Sequence, residues 1–510
     1  MYTFSSKLKT LSFILMVLGA LGIGYGFLTA PKNIEEVEAI LKAQEGHHGG
    51  GHAEGHEAEA PAHETHMVPE IKATEENHTD VSEEAAAKPA EVKLADTISV
   101  VSIAADSLKE TVAVVADEPA PHHRVAVVDE HAEHQKHLQH VLNQLQNKPW
   151  AALYVACIFI MLISLGALAF YGIQQVAQAG WSPVLFRVMQ GITAYLPVGS
   201  VIFFVILVVT GFHFFEGNNL FAWMEHGITD PKSPHYDKMI AGKSGYLNVP
   251  FWLLRAAIFL IGWNLYRYFS RKNCLAQDEA SDNTFYKKNF KMSAGFLVFF
   301  IVTESIMSWD WIMSVDPHWF STLFGWYVFA SFFVSGITTI ALVTLFLKSN
   351  GFLPNVNTSH IHDLAKFMFG ISVFWTYLWF SQFMLIWYAN IPEEATYFIT
   401  RIEHYNLPFF GAVVMNFVFP ILILINTDFK RLTWIIVMAG TVILLGHYVD
   451  FFNMIMPSTV GTQWFIGAPE LGALAFFIGL FIFVVFTALT KVPLTPKRNP
   501  FIEESKHFHY

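Results

Sequence analysis

Cysteine is almost missing from this sequence: only Cys157, inside an apolar run, and Cys274, in a basic loop, occur in 510 residues. Two thiols build neither a disulfide framework nor a cysteine-ligated cluster, and no C-x-x-C-H motif is present to attach haem c. Charge is scarce as well. Asp, Glu, Lys and Arg make up 14% of the chain against 53% hydrophobic residues, whereas a soluble domain carries roughly a quarter charged residues. A single soluble domain is therefore excluded, and lipid is the solvent that suits this composition. The formal net charge is −11, with most of the acidic excess between Pro31 and Pro149, which argues against nucleic acid as a partner.

What the chain does have is long apolar runs. Crossing a bilayer core takes about 20 helical residues, and ten stretches reach that length, near 8–28, 150–175, 190–213, 250–270, 292–314, 320–347, 365–390, 404–426, 432–455 and 469–490. The sequence thus predicts an all-α integral membrane protein with about ten transmembrane helices. The first run is longer than the ~7–15 residues of a signal-peptide core, so it reads as a retained helix. Lys and Arg set orientation because they resist translocation. Lys7, Lys9, Arg187, Arg271, Lys287, Lys288, Lys430, Arg431 and Lys497 all fall on the side of the termini; both termini are expected in the cytoplasm and residues 31–149 outside. That insertion is rich in His, Glu, Ala and Pro, and its part from Gly46 to His66 is too low in complexity to bury a core. It reads as a solvated, partly disordered tail without fixed metal-ligand spacing. His131, His134, His137 and His140 step along a helix entering the second span and read as a wet surface.

Ionisable groups inside a span cost ~2.5 kcal/mol or more and mark site hypotheses. Here they gather toward the outer ends: Glu304, Ser308 and Asp310 in the fifth span, His447, Asp450 and Asn453 in the ninth, Gln382 in the seventh, Arg255 in the fourth, and His213, Glu216 and His404 at outer edges. Glu304 with Ser308 and His447 with Asp450 are spaced to share a helix face. Arg255 needs a counter-charge, with Glu304, Asp310 and Asp450 as candidates. The inner half offers only modest polar steps, Tyr195, Asn264, Ser331, Ser335 and Thr339. An outward-opening polar pocket follows. Quinol oxidation needs hydrogen-bond acceptors and a base that titrates in range, which His447 with Asp450, or Glu304, would supply. A haem b pair needs facing histidines, and only His447 lies well inside a span, so no cofactor or metal is expected to be bound by this chain itself. Pro317, Pro392 and Pro457 read as stops to outward-running spans, and Trp309, Trp311, Trp319 and Trp387 as an interfacial belt.

The longest signatures lie at the outer helix ends: Ser308-Trp309-Asp310-Trp311 running through Val315-Asp316-Pro317-His318-Trp319 to Gly325; Phe380-Ser381-Gln382 running through Trp387-Tyr388 to Pro392-Glu393-Glu394; and His447-Tyr448-Val449-Asp450 leading to Met456-Pro457. Together they resemble the F subunit of bacterial alternative complex III, of the NrfD-like membrane-protein superfamily, over about residues 150–490. The resemblance implies two four-helix bundles, 150–315 and 316–456, flanked by a first helix (1–30) and a last one (457–490), with a cytoplasmic tail at 491–510. It also implies a respiratory quinol:cytochrome c, or high-potential acceptor, oxidoreductase in the bacterial inner membrane. Quinone or menaquinone would be the membrane substrate, and by position the resemblance implies proton transfer by Glu304, Asp310, His447 and Asp450, with quinone contact expected at His447, Asp450, Gln382 and Arg255. Haem c and iron–sulfur clusters would belong to partner subunits: an NrfD-like C subunit, an iron–sulfur subunit, and multihaem and monohaem cytochromes c, with a terminal haem-copper oxidase as a further partner. Two other readings stand beside it, a scaffold subunit with no site of its own and a proton-coupled secondary transporter. The outward displacement of the polar groups speaks against the midplane site of a transporter.

Overall fold

The computed structural model describes residues 2–48 and 130–509, and all regular structure in them is helical. Ten helical stretches among the described residues are long and apolar enough to cross a membrane; the protein is an all-α, multi-pass membrane protein. By contacts the chain divides into Met1–Ile40 with His137–Tyr510, and Leu41–Lys136. Most of the histidine-rich run and the 92–128 segment lie outside the described residues.

The spans are α1 (Ser6–Thr29), α3 (Glu130–Val176), α4 and α5 (Phe186–Ile192, Leu196–Gly211), α7 (Val249–Gln277), α8 (Thr284–Trp311), α9 (Phe324–Ser349), α10 (Thr358–Ala389), α12 and α13 (Asn406–Val413, Phe419–Leu424), α14 (Thr433–Val460) and α15 (Ala468–Leu489). Outside them lie α2 (Ile34–His48), α6 (Lys238–Lys243), α11 (Pro392–Glu403) and α16 (Ile502–Lys506). Helices α3, α4–α5, α7 and α8 form one four-helix group. Its members are tied by Ser164 Oγ to Ile192 O (3.2 Å), Asn264 Nδ2 to Ser200 Oγ (2.9 Å) and Tyr154 OH to Trp311 O (2.8 Å). A second group is formed by α9, α10, α12–α13 and α14.

The two groups meet through their first helices, α3 and α9, which are the most deeply buried spans. Gly166 and Gly336 make that crossing. A Cβ on Gly166 would stand 2.5 Å from Phe332 O, and one on Gly336 2.6 Å from Ala167 N. Small residues at such points let backbones touch, which is how helices gain van der Waals energy in lipid. The flanking helices α1 and α15 pair in the same manner: a Cβ on Gly22 would lie 2.9 Å from the Gly472 Cα. Much of the rest of α1, including Leu18, Leu21 and Leu28, is exposed.

Both termini share a face. The Tyr2 ring lies 5.0 Å from Phe352, and Asn357 donates to Phe508 O at 2.5 Å. The opposite face carries α6 and α11, and α11 was not foreseen, because the eighth span was read as re-entering at His404. Two further expectations are corrected there. Pro457 does not end its helix, since α14 continues to Val460. Trp311 and Trp319 are core residues at 0% and 3% exposure rather than belt anchors. Trp311 lies 4.8 Å from Phe203, Trp319 stacks on Tyr397 at 3.9 Å, and Trp387 alone of the four is largely exposed.

Candidate functional site

Three helices of the second group aim polar side chains at one point. On α14, His447 and Asp450 are one turn apart; on α9, Tyr327 and Ser331 share a face; on α10, Trp375 adds an indole. Asp450 is 2% exposed and lies ten residues short of the α14 end at Val460, roughly 15 Å into the span at helical rise. Its carboxylate accepts from three neutral donors: Tyr327 OH on one oxygen, and Ser331 Oγ (2.8 Å) and Trp375 Nε1 (2.9 Å) on the other. No arginine or lysine is among these partners. A buried carboxylate is costly unless hydrogen-bonded, and three donors converging on it supply that need.

His447 is joined through the same serine. Its Nδ1 is 2.9 Å from Ser331 Oγ and 3.8 Å from the Asp450 carboxylate. Ser331 has one proton; when that proton points to Asp450, His447 must carry its own on Nδ1 and donate it to Ser331. This fixes the neutral ring with a bare Nε2, and that nitrogen is buried with no partner. The result is a chain, Tyr327 to Asp450 to Ser331 to His447, ending on an open base.

Toward the opposite face the chain meets a small cavity, lined by Tyr327, Gln382, Arg401 and Asn453 among others and roomy enough for about one water. Both amide atoms of Gln382 and Oδ1 of Asn453 are buried without a partner, and such orphaned groups call for water. Arg401 is held there by backbone rather than by acid. Pro457 has no N–H for the carbonyl of Asn453; Arg401 Nε donates to that carbonyl at 3.0 Å and its Nη1 to Tyr397 O at 2.8 Å. On the other side of His447, Asn416 lies in a π turn, Val414–Val418, packed on Gly446, and neither of its amide atoms has a partner. π turns break the regular helix ladder and are frequent at functional sites.

The other sequence candidates stand elsewhere. Asp310 binds Arg255 through two hydrogen bonds, 2.6 and 3.0 Å, and the guanidinium also lies 3.9 Å from the Tyr246 ring. Arg255 thus has its counter-charge in the first group and does not share a quinone-contact set with His447, Asp450 and Gln382. Outside the spans, burial and the Asp310 carboxylate push the Tyr246 phenol above its ordinary range. Glu304 is buried in α8; one oxygen accepts from Ser305 at 2.7 Å and the other has no partner. Ser308 turns to the Ser305 carbonyl instead of Glu304. Glu216 and His404 are exposed.

Sequence reasoning missed Tyr327 and Trp375, because an aromatic in an apolar helix reads as packing. The spacing Tyr327, Ser331, Ser335, Thr339 was the available signal. Ser335 and Thr339 turn their hydroxyls back to the i−4 carbonyls, 2.8 Å in each case, so of the four only Tyr327 and Ser331 reach the site. It also missed Lys148 and Glu470, a buried pair at 3.9 Å. Among the described residues, no three His, Cys, Asp or Glu side chains stand together as a metal would require. No protein-family model matches this chain, and no curated protein matches it.

Proposed function

We propose that this chain is a membrane subunit of a respiratory quinol:cytochrome c, or high-potential acceptor, oxidoreductase of the bacterial inner membrane, and that its second helix group carries protons toward the face opposite the termini. The single observation that carries the reading is the buried chain from the cavity through Tyr327, Asp450 and Ser331 to the open Nε2 of His447. The carboxylate and the imidazole can take a proton on one atom and release one from another, and the two hydroxyls accept and donate at a single oxygen. Quinol oxidation releases two protons for each molecule, so a subunit beside a quinol site has use for such a chain. The redox part of the reading rests on the outer-end motifs around Ser308–Gly325, Phe380–Glu394 and His447–Pro457. Haem and iron–sulfur centres belong, on this reading, to partner subunits.

In such a relay, a proton arriving at Nε2 of His447 makes an imidazolium, whose Nδ1 proton passes to Ser331 while Ser331 gives its own to Asp450. Tyr327 then turns its proton to a water in the cavity beside Arg401 and takes the one held by Asp450, which returns to the carboxylate. The Arg401 charge faces that cavity and favours onward release over storage there.

The test is quinol-dependent turnover and proton release by the assembled complex carrying Asp450→Asn or His447→Gln. Either is expected to slow proton release at least ~100-fold, the usual weight of a positioned acid–base group, with assembly intact. Unchanged rates in both variants would leave the scaffold reading.

A further inference from the structure

Away from that site, the first helix group carries a feature that proton transfer does not use. Between α5 and α7 a groove of about 400 Å³ opens sideways, lined by Pro197, Val201, Phe204, Leu260, Ile261 and, at its polar end, Asn264. Val201 and Ile261 are 65% and 58% exposed, so the wall is apolar and faces the acyl chains. Continuing along the same stripe of α7 in steps of three and four, the residues after Ile261 and Asn264 are Arg267 and Arg271. The stripe's direction is fixed at both ends by bonds to the neighbouring span: Asn264 Nδ2 to Ser200 Oγ at 2.9 Å, and Arg271 Nη1 to Gln190 O at 3.4 Å.

Among the described residues, neither arginine is paired with an acid. The nearby carboxylate, Asp278, is occupied, one oxygen by Arg187 at 2.5 Å and the other by the Lys497 amide at 2.9 Å. Arg267 Nε is buried with no partner at all. Two guanidinium groups four residues apart, half-buried and without counter-charge, thus cap an apolar slot about 9 to 15 Å deeper by helical rise. This separation of charge from grease is that of a phospholipid, with the phosphate at the level of the arginines and the chains below. Basic pockets between transmembrane helices commonly bind anionic headgroups, and guanidinium forks suit phosphate oxygens.

We propose that the α5–α7 groove with Arg267 and Arg271 is a binding site for an anionic phospholipid on the terminal face of the protein. The phosphate takes the outer N–H groups of the Arg267 and Arg271 guanidinium forks, and an acyl chain fills the groove over Val201 and Ile261.

The experiment uses the full chain, purified in detergent and stripped of lipid, with native mass spectrometry reading the bound state. The probes are phosphatidylglycerol, phosphatidylcholine of the same chains, and inorganic phosphate. Phosphatidylglycerol is expected to bind roughly tenfold or more tighter than phosphatidylcholine. Arg267→Gln with Arg271→Gln should erase that preference, and Ala257→Trp, which fills the groove wall, should weaken both lipids. Lys287→Gln with Lys288→Gln, on the same face but at the start of α8, should change neither. Circular dichroism and gel-filtration profiles identify a misfolded double variant, in which case Arg267→Gln alone and Ala257→Trp decide. Equal binding of the two lipids, a preference that survives loss of the arginines, or competition by inorganic phosphate as strong as by phosphatidylglycerol would each overturn the proposal.

Discussion

The two helix groups share a layout and hold one buried acid of each, Asp310 and Asp450, in different ways. In the first, two acids are matched to arginines, Asp310 to Arg255 and Asp278 to Arg187, Glu304 has only the Ser305 hydroxyl, and the Tyr171 hydroxyl gathers donors from Gln175, Gln190, Ser270 and Asn289. In the second, Asp450 is held by neutral donors, Arg401 by backbone carbonyls, and Gln382, Asn416 and His447 keep atoms with no partner. A matched ion pair resists a change of protonation, because losing either charge strands the other. A carboxylate held by hydroxyls and an indole tolerates it. On the proposed function, the difference separates an ion pair that stays as it is, Asp310 with Arg255, from a carboxyl that exchanges protons, Asp450.

The largest expected effect would break the contact that joins the two groups. Gly336→Val places a side chain against the α3 backbone, and we expect no folded protein to be recovered, as read by gel filtration. Next, Asp310→Asn should cost about 3–5 kcal/mol, the cost of stranding a buried charge, whereas Asp450→Asn should cost about 1.5–3 kcal/mol, since charge-assisted hydrogen bonds are weakened but no opposite charge is stranded. Thermal melts of the two variants side by side sharpen the comparison. If Asp450→Asn were the more damaging, Asp450 would be structural. Arg401→Gln should cost about 1–3 kcal/mol in wild type by uncovering the Asn453 carbonyl, and less in a Pro457→Ala background, where the helix supplies its own N–H. A double-mutant cycle measures that coupling.

The smallest effect concerns the opposite face. The Asp237 carboxyl is held below its ordinary value of 3.8 by the amides of Ile240 and Met239 and by His318. A depressed carboxyl contributes stability above its unfolded pKa, and that contribution is lost as pH falls through the folded value. Hydrogen exchange in α6 should therefore be unchanged at neutral pH and rise only below about pH 4.

Much of the architecture was legible because hydropathy alone marks a span; α9, expected over 320–347, runs Phe324–Ser349. The pairing of His447 with Asp450 was legible from their spacing, and Asp310 stood among the candidate partners of Arg255. What escaped depends on tertiary packing. A tryptophan at a helix end looks the same whether it stays exposed, as Trp387 does, or turns into the core, as Trp311 does. A proline reads as a stop unless another chain segment takes over the freed carbonyl, as Arg401 does for Pro457. Tyr327 and Trp375 become polar partners only once α9 and α10 close on Asp450.

Infrared difference spectroscopy of the assembled complex during quinol turnover tests most directly whether Asp450 changes its protonation. A carboxyl C=O band should rise and decay with turnover in wild type and vanish in Asp450→Asn. A spectrum with no such band, or one identical in the variant, would contradict proton passage through Asp450.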